Sequence, residues 1–66
     1  MTTVEVTDRA GGSIRSTRTP LGLINVNIYN PQTDETIEYL MDPKEPKVIA
    51  WLESIYQPIH LNILLG

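Results

Sequence analysis

Arginine and hydroxyl side chains are concentrated near the start of the chain, in residues 9–19 (R-A-G-G-S-I-R-S-T-R-T). Guanidinium and hydroxyl groups recognise phosphate and carboxylate oxygens, and the backbone N–H groups of a Gly-Gly bend can form a concavity that binds anions. The pattern indicates a site for a nucleotide or another phosphate-bearing small ligand, with the candidate ligand-binding residues Arg9, Ser13, Arg15 and Arg18. The same composition is typical of a solvated loop or of an arm that docks on a partner.

The rest of the chain holds few groups suited to catalysis or metal binding. His60 is the only histidine and there is no cysteine, so a zinc or iron site cannot be assembled from these ligands. An unaccompanied histidine is more often a surface residue than a catalytic base, and no phosphate-binding loop, dinucleotide fingerprint or zinc-protease spacing occurs. We therefore predict no catalytic residue, no metal and no cofactor, in a protein that is not an enzyme.

Length and charge limit the classes of protein that the chain can represent. A domain of 66 residues buries only about 60% of its unfolded surface, and without disulfides or metals such a small fold often gains burial by self-association. The net charge of −3 argues against nucleic acid as a partner. No apolar run reaches the ~18 residues of a membrane span, and the start of the chain does not resemble a signal peptide. We expect a cytoplasmic protein that does not associate with membranes.

Residues 23–41 (L-I-N-V-N-I-Y-N-P-Q-T-D-E-T-I-E-Y-L-M) predict a β-hairpin. Asn30 and Pro31 are typical turn residues, and a four-residue loop over 31–34 requires a left-handed backbone at Asp34, which aspartate tolerates. Pairing Asn30 with Glu35 then fixes the register. One face of the hairpin becomes apolar, as in a half-buried antiparallel pair: Ile24, Val26, Ile28, Ile37, Tyr39 and Met41.

The flanking segments predict further elements. Residues 2–7 alternate like a short strand, the Gly11-Gly12 bend follows, and residues 13–19 can pair back, so that residues 1–20 form either a first hairpin or a loose polar arm. A helix is predicted from Pro46 over 47–57, ended by Pro58. Residues 59–65 (I-H-L-N-I-L-L) alternate in polarity, which predicts a final strand with Leu64 and His60 on its solvent side.

Together these elements predict a single α+β domain over residues 1–66. It has two layers, an antiparallel sheet and one helix on the apolar face, in the order β-β-β-α-β, with residues 21–66 forming the hairpin, helix and final strand. The last strand is expected to lie antiparallel beside residues 23–30, or else parallel to residues 35–41, after a right-handed crossover. Trp51 and Tyr39 are expected to meet in the core.

Both layers carry more apolar surface than one buried interface requires. The apolar arc of the helix is wider than the ~100° of a single buried face, and several apolar residues fall on the outer side of the predicted sheet. Such patches usually mark contacts with another chain. We therefore predict a non-enzymatic binding protein, of the inhibitor, accessory-subunit or antagonist type, that contacts a protein partner or a second copy of itself, with the candidate interface residues Leu23, Tyr29, Leu40, Ile49, Tyr56 and Leu64.

Overall fold

Four antiparallel strands, joined in the order in which they occur in the chain, form the sheet in the computed structural model, which describes residues 2–66. Two helices follow the strands and pack on one side of the sheet, here called the inner face. The elements are β1 (Thr2–Thr7), β2 (Ser13–Arg18), β3 (Ile24–Asn30), β4 (Glu35–Met41), α1 (Pro46–Ile55) and α2 (Pro58–Leu65). The prediction of a small α+β domain is confirmed, whereas the predicted single helix is wrong.

The hairpin of β3 and β4 is confirmed in its register. Asn30 pairs with Glu35 and Ile24 with Met41, and Asp34 has the predicted left-handed backbone with a φ of 54°. The predicted burial of the apolar face is only partly correct. Ile24 and Val26 are fully buried, but Ile37 and Tyr39 are exposed, so Tyr39 does not join Trp51 in the core.

Residues 2–18 form an ordered first hairpin, which is one of the two predicted alternatives. β1 pairs with β2 from Thr2 with Arg18 to Thr7 with Ser13. Asp8 holds the turn between them, because its carboxylate accepts hydrogen bonds from the backbone N–H groups of Ala10 at 2.9 Å and Gly12 at 2.8 Å. Gly11 adopts a positive φ of 93° in this turn, a conformation that glycine reaches without steric cost.

The predicted final strand is wrong, because residues 58–65 form α2. Pro58 occupies the first turn of this helix, where its missing N–H is not needed, and does not merely end α1. Apolar residues surround the axis of this helix, with only His60 and Asn62 between them. The alternation of polarity could therefore not distinguish a strand from a helix. The strand predicted to lie beside β3 is absent from the sheet, and β2 holds that position.

The core lies between the inner face and both helices, and its buried apolar residues are Val4, Ile24, Val26, Val48, Leu52, Tyr56 and Leu64. Ser16 is the buried polar residue among them. Its Oγ lies 2.9 Å from the Tyr56 hydroxyl, which also donates to the carbonyl oxygen of Ile14 at 3.2 Å. This small network attaches the C-terminal end of α1 to the middle of β2.

Candidate protein-binding surface

Strand β4 is the most exposed element of the sheet. It forms one edge, and all of its residues except Met41 are exposed. Three of the exposed side chains are large and apolar: Ile37 and Tyr39 on the inner face, at 51% and 44% exposure, and Leu40 on the outer face at 63%. We call these three residues, with the free backbone edge of β4, the β4 surface.

The path of α1 explains why the inner side of β4 is uncovered. The helix begins close to the end of β4, where Val48 and Trp51 line a shallow pocket with Leu40 and Met41. Its other end reaches β2, where Tyr56 contacts Ser16. The helix therefore crosses the sheet diagonally and does not cover the corner that carries Ile37 and Tyr39.

The second helix lies on the other side of α1. Leu61 and Leu65 of α2 line a pocket with Ile49 and Glu53 of α1, and α2 lies against β1 and β2. Neither helix is therefore placed to shield Ile37 and Tyr39, and Trp51, on the flank of α1 that faces β4, is only half-buried.

The backbone edge of β4 has only part of the usual protection against pairing with another strand. Edge strands of monomeric proteins are commonly short, bulged, or interrupted by lysine or proline. β4 has seven residues, E-T-I-E-Y-L-M, with neither lysine nor proline, and it pairs with β3 without a break in register. Its charges are Glu35 and Glu38, and the Glu38 side chain is on the outer face with its cross-strand neighbour Asn27. Glu35 lies on the inner face, at the N-terminal end of the strand. Beyond Glu35, the inner side of the edge offers the apolar side chains of Ile37, Tyr39 and Met41 beside free backbone groups.

The outer face of the sheet is mainly polar. Its central row runs across the four strands through Glu5, Arg15, Asn27 and Glu38. Arg15 donates to the Glu5 carboxylate at 2.9 Å, with both side chains well exposed, an arrangement that contributes at most about 1 kcal/mol to stability. This face resembles an ordinary solvated sheet surface, apart from Leu40 at its edge.

The candidate ligand-binding residues do not converge on one site. Arg9 lies exposed in the first turn, and Ser13 and Arg15 lie on the outer face, as their alternation in sequence predicts. Arg18 lies on the inner face, where it donates to the carbonyl oxygen of Leu65 at the C-terminal end of α2, a favourable position for a cation. The backbone N–H groups of the Gly-Gly bend that could bind an anion are directed at Asp8 instead.

The candidate interface residues divide into two groups. Leu40 is well exposed, and Leu23, Tyr29 and Ile49 are half-buried. Tyr56 and Leu64 belong to the core, with 3% and 0% exposure, and are not available for contact in this fold. Leu64 was expected on the solvent side of a strand, and the helical conformation of α2 turns it towards the sheet.

Sequence reasoning missed Ile37 and Tyr39 as surface residues. Both occur on the apolar face of a correctly predicted hairpin, and such a face is normally buried. The strand order decides otherwise, because a chain of consecutive hairpins places its last strand at an edge. One feature of the sequence could have indicated their exposure: the predicted helix is too short to cover all strands of a four-stranded sheet.

The pKa values of two tyrosines, Tyr29 and Tyr56, are raised. Burial raises the pKa of Tyr56, an effect that the hydrogen bond with Ser16 opposes and the negative charge of Glu5 reinforces. The pKa of Tyr29 is raised by its hydrogen bond to Asp34, on the exposed outer face.

Within residues 2–66, no group of three or more histidine, cysteine, aspartate or glutamate side chains is placed to hold a metal ion. In the same part of the chain, neither helix has the length and apolarity needed to cross a membrane. The chain matches no protein-family model, no curated protein and no solved structure.

Proposed function

We propose that this chain is a small non-enzymatic binding protein that acts through a protein–protein surface, and that the β4 surface is its docking site. The observation that carries the proposal is the exposure of Ile37, Tyr39 and Leu40 along a free sheet edge. A polypeptide that adds a strand to β4 gains backbone hydrogen bonds from the edge and apolar contacts from alternate side chains. Inhibitors, accessory subunits and antagonists all act by contacts of this kind.

A second exposed apolar stripe lies on α2, where Ile59 and Ile63 are one helical turn apart. This stripe offers side chains only, since the backbone of a helix is already hydrogen-bonded internally. β4 offers both side chains and backbone groups, and for this reason we favour it over α2 as the docking site.

The experiment compares two isoleucine-to-lysine variants of nearly equal starting exposure, Ile37→Lys at 51% and Ile63→Lys at 50%. Tagged wild-type and variant proteins are incubated with extract of the native host, and captured proteins are identified by mass spectrometry. We expect the wild type and Ile63→Lys to capture specific partners and Ile37→Lys to fail to capture them. An untagged copy of the chain counts as a partner. Identical capture by all three proteins would contradict the proposal.

Binding of a nucleotide or other phosphate through residues 9–19 is the alternative function. Its support is that Ser13 and Arg15 line a shallow pocket on the outer face with Asn27 and Tyr29. Glu5 lines the same pocket and already forms a salt bridge with Arg15, so we rank this function second. Calorimetry against a panel of nucleotides, with Arg15→Ala as the variant that should abolish binding, tests it. The absence of heat with every anion would eliminate it.

A further inference from the structure

We infer that the polypeptide that docks on the β4 surface is a second copy of this chain. The inference rests on the proposed function and names its partner. In the arrangement that we propose, β4 of each copy pairs antiparallel across a two-fold axis perpendicular to the sheet, with Tyr39 of one copy directly opposite Tyr39 of the other. The two sheets then join into one sheet of eight strands with all four helices on the same side.

The pattern of side chains in β4 selects this register. Directly opposite residues of an antiparallel pair project to the same face, so an inner residue must face an inner residue of the second copy. With Tyr39 opposite Tyr39, Ile37 falls opposite Met41 and the inner face of the junction is entirely apolar. On the outer face, Glu38 falls opposite Leu40, so no like charges face each other.

The neighbouring register is less favourable. With Glu38 opposite Glu38, two carboxylates would lie at the closest approach of the two strands, and like charges directly opposite each other destabilise a sheet. A shift further in the same direction, so that Ile37 faces Ile37, would leave Met41 and Leu40 beyond the strand pairing and bring Glu35 opposite Tyr39. The opposite shift, with Leu40 facing Leu40, would bring the carboxylates of Glu38 and Asp42 opposite each other. The register centred on Tyr39 matches apolar groups with apolar groups on the inner face and places no like charges opposite each other.

The accessible surface area and the radius of gyration of the monomer both exceed the values for a compact chain, as expected if one interface is unpaired. The chain exposes 4702 Å², whereas the scaling for compact monomers gives about 4,200 Å² for this mass. Its radius of gyration of 11.7 Å likewise exceeds the roughly 10.8 Å expected for a compact domain of this length. The excess of about 500 Å² approaches the ~600 Å² per partner that the smallest specific interfaces bury.

Dimerisation would also complete the cover of the exposed corner. In the joined sheet, the exposed parts of the two β4 strands lie side by side between the two α1 helices. The half-buried Trp51 of each copy borders this strip, so both indoles are expected to lose contact with water. The chain has a single tryptophan, and its fluorescence therefore reports on the interface without interference from other tryptophans.

The first test is sedimentation velocity of the purified chain over micromolar to millimolar concentrations, with Trp51 emission recorded on the same samples. We expect a monomer–dimer equilibrium with a blue shift of the emission as the dimer forms. Ile37→Lys should remain monomeric and Ile63→Lys should dimerise as the wild type does, with circular dichroism confirming that both variants are folded. A strict monomer at every concentration would overturn the inference, and so would a dimer that survives Ile37→Lys.

The second test determines the register with engineered thiols, since the chain has no cysteine of its own. Opposite residues of an antiparallel pair have Cα atoms about 4.5–5.5 Å apart, which a disulfide can bridge, whereas Cα atoms more than about 7 Å apart cannot be bridged. Under mild oxidation Tyr39→Cys should form a covalent dimer and Glu38→Cys should not. Cross-linking of Glu38→Cys alone, or of neither variant, would overturn the proposed arrangement.

The two proposals fail in distinguishable ways. If the purified chain is monomeric but the capture of another protein depends on Ile37, the second copy is the wrong occupant and the β4 surface remains a docking site. If neither self-association nor capture depends on Ile37, the docking site itself is wrong.

Discussion

At the scale of single residues, the contact between Ser16 and Tyr56 attaches the C-terminal end of α1 to the sheet. Ser16 is fully buried, and a buried hydroxyl without a partner would cost free energy. The Tyr56 hydroxyl supplies the partner and uses the carbonyl oxygen of Ile14 as its own acceptor. Sequence reasoning did not find this pair, because neither residue type nor spacing indicates that positions 16 and 56 meet.

Substitutions of this pair should have unequal effects on the free energy of unfolding. Ser16→Ala leaves the Tyr56 hydroxyl bonded to Ile14, and we expect a loss of about 1 kcal/mol. Tyr56→Phe strands the buried Ser16 hydroxyl, and we expect a loss of about 1–3 kcal/mol. Urea denaturation measures both. Equal losses, or a larger loss for Ser16→Ala, would show that the network does not work in this way.

Stability should also fall at alkaline pH because of Tyr56. Its folded-state pKa is raised, mainly by burial, so the hydroxyl binds its proton more tightly in the folded than in the unfolded chain. The resulting stabilisation is complete below the unfolded pKa of about 10 and is lost as the pH rises through the folded pKa. Urea denaturation at a series of pH values should show a smaller alkaline loss for Tyr56→Phe than for the wild type. An unchanged pH dependence in the variant would exclude Tyr56 as the source.

The left-handed backbone of Asp34 gives a third residue-scale prediction. Glycine adopts a φ of 54° without the steric cost that other residues incur, so Asp34→Gly should stabilise the fold by about 0.5–1 kcal/mol. Asp34 also accepts a hydrogen bond from Tyr29, whose loss would reduce this gain. We therefore propose to measure Asp34→Gly in a Tyr29→Phe background, where that bond is already absent. A destabilised double variant would contradict the explanation based on backbone strain.

At the scale of elements, the hairpins were predictable and the last helix was not. Asn30, Pro31 and Asp34 define a turn by local chemistry alone, and that turn fixes the register of β3 and β4. Residues 58–65 contain only two polar residues, His60 and Asn62, so strand and helix leave similar apolar patterns. The choice between them depends on Pro58 at the first turn and on packing against β1 and β2, which no local pattern specifies.

Alanine substitutions in α2 distinguish the helix from the predicted strand. In the helix Leu64 is fully buried and Ile63 is half exposed, so Leu64→Ala should cost about 2–5 kcal/mol and Ile63→Ala much less. A strand with Ile63 in the core would give the opposite order. The free energies of unfolding decide between them, and if Leu64→Ala does not fold, the milder pair Leu64→Val and Ile63→Val gives the same comparison.

At the scale of the whole molecule, the fold is a sheet that is only partly covered by its own helices. Large apolar side chains are exposed, but not all where the sequence predicts them. The sequence predicts Tyr56 and Leu64 on the surface, and both lie in the core; it predicts Ile37 and Tyr39 in the core, and both lie on the surface. Residue types therefore indicate that apolar surface is left over, and the strand order determines where it is.

Amide hydrogen exchange of the purified chain at low and high protein concentration tests the β4 surface most directly. The pairing of β4 with a second copy would give its free edge new hydrogen bonds, so exchange over residues 36–41 should slow as the concentration rises, while exchange over β1, the other edge of the sheet, should not change. Exchange over residues 36–41 that is independent of concentration, or slowing confined to β1 or α2, would contradict the dimer that we propose.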